Sequence, residues 1–64
     1  MIKEYSRVIG HSSDKVIGLV DGNEKHTVVG IAVDVDEKRV LIEEDETNDL
    51  YAFGLNEVMP CLVE

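Results

Sequence analysis

The sequence predicts an all-β fold, a small antiparallel barrel of five or six short strands with one 3₁₀ turn before the last strand. Three observations predict it. Apolar residues alternate with small or polar ones through much of Thr27–Glu43, which is the period of a strand. Turn-forming residues recur at close spacing. Pro60 leaves room for only a single helical turn near the C-terminus. We expect residues 1–64 to form a single domain.

The first part of the chain predicts two strands. Residues 2–9 favour a strand, because they hold aromatic and branched residues and no helix cap, although their spacing also fits one face of a helix. Residues 10–15, GHSSDK, predict a polar loop. The apolar run Val16–Val20 predicts the next strand, and Asp21-Gly22 predicts the turn that closes it, because glycine accepts a positive φ.

The middle of the chain predicts a hairpin over Thr27–Glu43. Its first strand carries a row of branched aliphatic residues on one face, namely Val29, Ile31, Val33 and Val35. Residues 36–38 are polar and have low strand propensity, so we expect the turn there. Val40 and Ile42 resume the alternation in the second strand.

The last part begins with residues 43–49, EEDETND, which predict an exposed acidic loop. The run Leu50–Leu55 predicts a strand with both of its aromatic residues on one face, where they can close one end of the core. Residues 56–59 predict a short 3₁₀ turn capped by asparagine. Residues 61–63 predict the final strand, with Cys61 as a small, buried residue of it.

The net charge of −8 lies entirely in the second half of the chain. Residues 1–32 hold four acids and four bases, whereas residues 33–64 hold ten acids and two bases. Such a surface repels phosphate backbones and attracts basic patches on proteins. The alternative is that the acidic residues only keep a small protein soluble. The single cysteine, and the lack of a signal peptide or long apolar run, favour the cytoplasm and no membrane.

Four stretches resemble the SH3-like small-barrel superfold, which includes the KOW, Tudor and Sm-like domains. They are VIGLVDG at 16–22, VVGIAVDVD at 28–36, RVLIEE at 39–44 and FGLNEVMP at 53–60. The resemblance implies an SH3-like barrel: a bent strand ending in a glycine turn, a strand with an internal glycine and its hairpin partner, then a one-turn 3₁₀ helix before the last strand. Its Sm-like and KOW-like members imply nucleic-acid binding as one function.

No residue pattern predicts catalysis, a metal site or a cofactor. His11 and His26 fall in polar stretches without a nucleophile and an orienting partner, so we interpret them as surface residues. The D-x-D pattern at 34–36 begins like a calcium loop, but Arg39 stands where such a loop needs glycine. We therefore expect no enzyme, no metal and no cofactor.

Two functional hypotheses remain. The first is a small acidic protein-interaction module that meets a basic surface on a protein partner. A sharper version is a nucleic-acid mimic that inhibits a nucleic-acid-binding protein, as some small phage or mobile-element products do. The predicted contact residues are the five acids of the loop, Glu43, Glu44, Asp45, Glu46 and Asp49. The alternative is an Sm-like or KOW-like nucleic-acid module that acts as an oligomer through residues 1–26. Direct binding is disfavoured, because Lys38 and Arg39 are flanked by acids and two bases cannot supply the phosphate contacts that drive affinity.

Overall fold

The computed structural model describes residues 2–61, which form one five-stranded antiparallel sheet. The strands are β1 (Arg7–Ile17), β2 (Glu24–Val35), β3 (Arg39–Glu44), β4 (Leu50–Gly54) and β5 (Val58–Pro60). A 3₁₀ turn, Leu55–Glu57, joins β4 to β5. The order across the sheet is β4-β3-β2-β1-β5, so three consecutive hairpins are followed by a strand that returns to the far side of β1.

The predicted all-β class, the strand count and the 3₁₀ turn before the last strand are confirmed, but closure into a barrel is not. Within residues 2–61, β4 and β5 form the two edges of the sheet and do not pair with each other. The sheet curls without closing. One backbone hydrogen bond, from Leu19 N to Leu50 O at 2.8 Å, brings the turn after β1 against the open edge of β4.

The core lies on the inner face of the curled sheet. It consists of Ile2, Val8, Val28, Ala32, Val40, Ile42, Tyr51, Phe53 and Val58. As predicted, both aromatic residues of β4 lie on this face, with Tyr51 and Phe53 almost fully buried. Gly10 leaves room for the ring of Phe53, because a Cβ there would come within 2.8 Å of both Ile42 and Phe53.

The row of branched aliphatic residues in β2 lies mostly on the other face. Val28, Gly30 and Ala32 are buried, whereas Val29 is 38% exposed. The register with β3 shifts between Ala32 and Asp34, and this bulge returns Val35 to the core side. The outer face of the sheet therefore carries aliphatic side chains that the core does not use.

Several predicted boundaries are wrong. The polar stretch 10–15 is part of β1 and not a loop, since Gly10 and His11 pair with β2 and a bulge follows before Val16. The strand predicted at 2–9 begins only at Arg7, after a turn in which Tyr5 has φ 66°. Because the ladder with β2 satisfies the backbone of residues 10–11, their low strand propensity does not end the strand.

The C-terminal predictions also need correction. The last strand among residues 2–61 is Val58–Pro60, and Cys61, the one described residue of the strand predicted at 61–63, follows it. Proline is tolerated there because β5 is an edge strand. Cys61 is half-buried and follows the strand, donating its backbone N–H to Arg7 O at 2.9 Å. Leu62 and Val63 lie outside the described residues. Gly54, not an asparagine, caps the 3₁₀ turn, and its N–H donates to Glu57 Oε1 at 2.9 Å.

Candidate functional site

The candidate site is the acidic segment between β3 and β4. It contains all five predicted contact residues, but they differ in secondary structure and in exposure. Glu43 and Glu44 belong to β3, not to a loop. Glu44 and Asp49 are buried, with 6% and 1% of their surface exposed, so the prediction of exposed side chains is wrong for these two. Asp45 and Glu46 are exposed, and Glu43 is half-buried.

Glu44 forms the most buried ion pair among the described residues. It faces the core side because it continues the alternation of Val40 and Ile42 along β3. Its carboxylate pairs with Lys25 Nζ and accepts a hydrogen bond from Thr47 Oγ1 at 2.7 Å. The hydrogen bond from Lys25, followed by that from Thr47, holds the pKa of Glu44 below its ordinary value against the effect of burial. The Glu44 carboxylate thus has both of its partners within the chain.

The Asp49 carboxylate also has its partners within the chain, and it fixes the turn after β1. Its Oδ1 accepts hydrogen bonds from Val20 N and Leu50 N, both at 2.8 Å, and its Oδ2 accepts one from Asp21 N at 3.3 Å. Burial raises the pKa of this carboxyl, but the three backbone N–H groups outweigh burial and leave the pKa lowered. Because Asp49 lies just before β4, its carboxylate connects this strand to the turn after β1. Gly18 has no side chain, which leaves room for that carboxylate.

The backbone of the segment is fixed by its own hydrogen bonds. Glu44 N donates to Asp49 O at 2.9 Å, and Asn48 N donates to Glu44 O at 3.0 Å. Asn48 adopts a left-handed conformation with φ 61°, which asparagine tolerates. Asp45 N donates to Val29 O at 3.2 Å and so attaches the segment to β2. A segment fixed in this way loses little conformational entropy on binding.

Between this segment and β2 lies an open hollow of about 210 Å³. It is lined by Thr27, Val29, Glu44, Asp45 and Glu46. Asp45 forms an exposed ion pair with Arg7, at 2.5 Å between Oδ2 and Nη2. Among the described residues, the carboxylate of Glu46 has no hydrogen bond or ion pair. The carboxylates at 43–46 outnumber the two cations that reach them, Arg7 and Lys25, so the local charge is negative.

The basic residues of the first half are largely offset by acids. Arg7 pairs with Asp45, and Lys25 pairs with Glu44. Lys15 pairs with Glu24 at 3.4 Å. Neutralised cations contribute little to the release of counterions that drives binding to nucleic acids. The surface expected for an oligomeric nucleic-acid module is therefore weakly basic at most.

The remaining candidate residues have structural roles. His11 Nδ1 lies 2.8 Å from Thr27 Oγ1, and His26 Nδ1 lies 3.2 Å from Ser12 O, so each imidazole joins β1 to β2. Within residues 2–61, no group of three or more His, Cys, Asp or Glu residues is arranged to hold a metal ion. Among the same residues, no helix has the length and hydropathy needed to cross a membrane.

One buried polar group, the hydroxyl of Tyr51, was not among the predicted functional groups. The Tyr51 hydroxyl is enclosed beside Glu44 and Asp49. No described residue meets the geometry of a hydrogen bond to it, although the Asn23 side chain lies close enough to lower its pKa. Burial raises the pKa of this phenol, and the two carboxylates raise it further. A buried hydroxyl without a partner costs about 1–3 kcal/mol of desolvation.

We therefore expect Tyr51→Phe to leave the free energy of unfolding unchanged or to raise it by about 1 kcal/mol, because phenylalanine keeps the ring and removes the unpartnered hydroxyl. Urea unfolding followed by circular dichroism measures the change. Tyr51→Leu is the matched control, since it removes ring volume from the core and should destabilise the fold by about 1–3 kcal/mol. A Tyr51→Phe variant that loses as much stability as the leucine variant would contradict the expectation.

Comparisons of the chain with protein-family models, with curated protein sequences and with solved structures gave no match.

Proposed function

We propose that this protein is a non-enzymatic interaction module whose acidic hollow receives a lysine or arginine side chain from the basic surface of a protein partner. The observation that carries the proposal is the hollow itself, where Val29 supplies an apolar floor and Asp45 and Glu46 supply exposed carboxylates. Long basic side chains bind in this way, with the stem packed on apolar surface and the charged head paired at its end.

The net charge of the chain supports the same class of partner. At −8 on 64 residues, the protein attracts cationic surfaces at long range and accelerates encounter with them. Thr27 supplies a hydroxyl to the lining of the hollow, and this hydroxyl is hydrogen-bonded to His11 Nδ1 at 2.8 Å. We propose, as the sharper form, inhibition of a nucleic-acid-binding protein by occupation of its basic surface. Cytoplasmic location remains a prediction.

The fold is part of the proposal. We propose that the curled sheet is an open variant of the SH3-like barrel. Support comes from the 3₁₀ turn before the last strand and from the strand order, in which β5 pairs with β1. Further support comes from the hydrogen bond between Leu19 and Leu50, which brings the turn after β1 to β4.

The test compares two variants with equal net charge. The site variant, Asp45→Asn with Glu46→Gln, neutralises the exposed carboxylates of the hollow. The control, Glu24→Gln with Glu37→Gln, neutralises two exposed acids elsewhere, and like the site variant it breaks one exposed ion pair. Affinity purification from cell extract at low and high salt, followed by titration calorimetry with the recovered partner, measures binding. We expect the site variant to bind about tenfold more weakly or worse, and the control to bind like the parent.

Salt dependence provides the second criterion. Contacts between exposed charges weaken as the Debye length falls from about 10 Å at 0.1 M salt to about 3 Å at 1 M. We therefore expect high salt to release the partner from the parent protein. Equal binding by the site variant and the control, or retention of the partner at high salt, would contradict the proposal and leave the acidic segment as a solvated surface.

A further inference from the structure

A second concavity lies on the outer face of the sheet, at the opposite end of β3 from the acidic hollow. This groove has a volume of about 310 Å³ and is lined by Leu19, Asp34, Asp36, Arg39, Leu41 and Ala52. It combines an aliphatic floor with two carboxylates and one guanidinium group. None of these side chains contributes to the core of the inner face.

The register of the sheet builds the floor of this groove. Asp34 pairs with Leu41, and Leu41 pairs with Ala52, so the three residues form one row across β2, β3 and β4. Leu19 borders the groove beyond the edge of β4, where its N–H donates to the carbonyl of Leu50, two positions before Ala52. Leu19 is 64% exposed although it is a large aliphatic residue. Two contacts therefore keep Leu19 at the groove: its own hydrogen bond to Leu50, and the Asp49 carboxylate that accepts from Val20 and Asp21.

We propose that this groove is a second contact for the same partner and takes an aliphatic side chain of an extended segment whose lysine or arginine occupies the acidic hollow. This inference rests on the proposed function. Charge complementarity identifies the occupant: Asp34 and Asp36 outnumber Arg39 at the rim, which favours a basic segment. A second copy of this chain would bring two molecules of charge −8 together, which disfavours self-association at this face.

The two sites lie on the same face and at a separation that one extended segment can span. Val29 faces outward beside the hollow, and Asp34 lies at the groove, five positions further along β2. Because the bulge in β2 adds one residue between them, the two sites are about four regular strand positions apart. At about 3.3 Å per residue this is a separation of about 13 Å, which five extended residues cover. Side chains at alternate positions of such a segment would all face the sheet.

Synthetic heptapeptides with blocked ends test the inference. The first probe has the sequence Lys-Ser-Lys-Ser-Leu-Ser-Leu, and the second has the reverse order, because the direction of the segment is not fixed by the groove. Each has a control peptide with serine in place of leucine and the same charge. We expect one leucine peptide to bind the parent protein at least about tenfold more tightly than its serine control, since a leucine side chain becomes buried. Titration at low salt measures the ratio.

Variants of the protein then locate the effect. Leu19→Thr and Leu41→Thr remove aliphatic surface from the groove, whereas Met59→Thr is the matched control on β5, with 63% exposure against 64% for Leu19. We expect the leucine-to-serine affinity ratio to fall to about one in the groove variants and to stay at about ten in the control. The Asp45→Asn, Glu46→Gln variant should weaken leucine and serine peptides equally. Thermal melts verify that each variant is folded.

The outcomes separate the inference from the proposed function. Equal binding of leucine and serine peptides to the parent, with both weakened in the hollow variant, would overturn the inference and leave the proposed function standing. Absence of binding by every peptide would overturn both. A dimer in analytical ultracentrifugation that dissociates on Leu19→Thr would overturn the inference in a different way, because it would make a second copy the occupant.

Discussion

Replacing Gly30 with alanine is expected to unfold the protein at room temperature. Gly30 lies in the ladder between β2 and β3, where a Cβ would overlap the backbone carbonyl oxygen of Glu43 and come within 2.8 Å of its carbonyl carbon. Backbone atoms cannot rotate away as a side chain can, so the methyl group must separate the two strands. We expect a loss of about 3 kcal/mol or more. A domain of about 60 residues has a total stability of only about 3–10 kcal/mol.

Gly54→Ala is the matched control for this substitution. Gly54 has φ −66°, which any residue adopts, and a Cβ there would meet only side chains, with Asn56 Oδ1 at 3.0 Å. We expect this variant to unfold within about 1 kcal/mol of the parent. Far-ultraviolet circular dichroism and urea titration measure both variants. A folded Gly30→Ala protein with the parent's midpoint would show that β2 and β3 can separate at no cost.

Gly30 also illustrates how far the sequence predicted the fold. The alternation in Thr27–Glu43 predicted a hairpin and its turn, and both are confirmed. A period of two shows which residues share a face but not which face turns inward. In β2 the small residues, Gly30 and Ala32, face the core because the rings of Tyr51 and Phe53 fill that side. Apart from Val28 and Val35, the branched residues of β2 lie mostly on the outer face, where the two candidate contact sites are.

The candidate site was predicted in part, for a similar reason. Residues 43–46 do border a hollow on the surface. The burial of Glu44 could have been predicted, because β3 places it in phase with Val40 and Ile42. Its cation, Lys25, could not, since it comes from another strand 19 positions away. The role of Asp49 depends on the backbone of Val20 and Asp21, which only the folded topology brings near.

The groove on the outer face could not be predicted from the sequence. It depends on a bulge in β2 that aligns Asp34 with Leu41, and on a turn that places Leu19 beside β4. Neither the position of a bulge nor the contact of a turn with a distant edge strand has a periodic signature. The carboxylate of Asp49 supports both the turn and, through Leu19, the groove. Its loss should therefore affect both stability and binding.

Asp49→Asn is expected to lower the thermal unfolding midpoint by on the order of 10 °C, because several hydrogen bonds to a buried carboxylate are weakened at once. The amide has one acceptor oxygen where the carboxylate has two, and its NH₂ group would face a backbone N–H of Val20 or Asp21. Asp14→Asn is the matched control. Asp14 is exposed, and among residues 2–61 no hydrogen bond or ion pair involves its carboxylate, so the midpoint should change by about 2 °C or less.

The pH dependence distinguishes loss of this carboxylate from a general packing defect. The pKa of Asp49 is lower in the folded protein than in the unfolded chain, because Val20, Leu50 and Asp21 donate hydrogen bonds that outweigh burial. Its stabilising contribution is therefore fully present above the unfolded pKa of about 3.9 and is lost as the pH falls through the lower folded value. Glu44 and Asp36 have lowered pKa values as well and contribute in the same direction.

We accordingly expect the difference in unfolding midpoint between the parent and Asp49→Asn to be constant from pH 7 to about pH 5 and to shrink below about pH 4. The Asp14→Asn control should follow the parent curve throughout. Because Leu19 leaves the edge of β4 when the turn is released, Asp49→Asn should also abolish the preference for leucine over serine peptides at pH 7. A midpoint difference that persists unchanged at low pH would mean that the asparagine disturbs packing, and that the carboxylate's charge does not hold the turn.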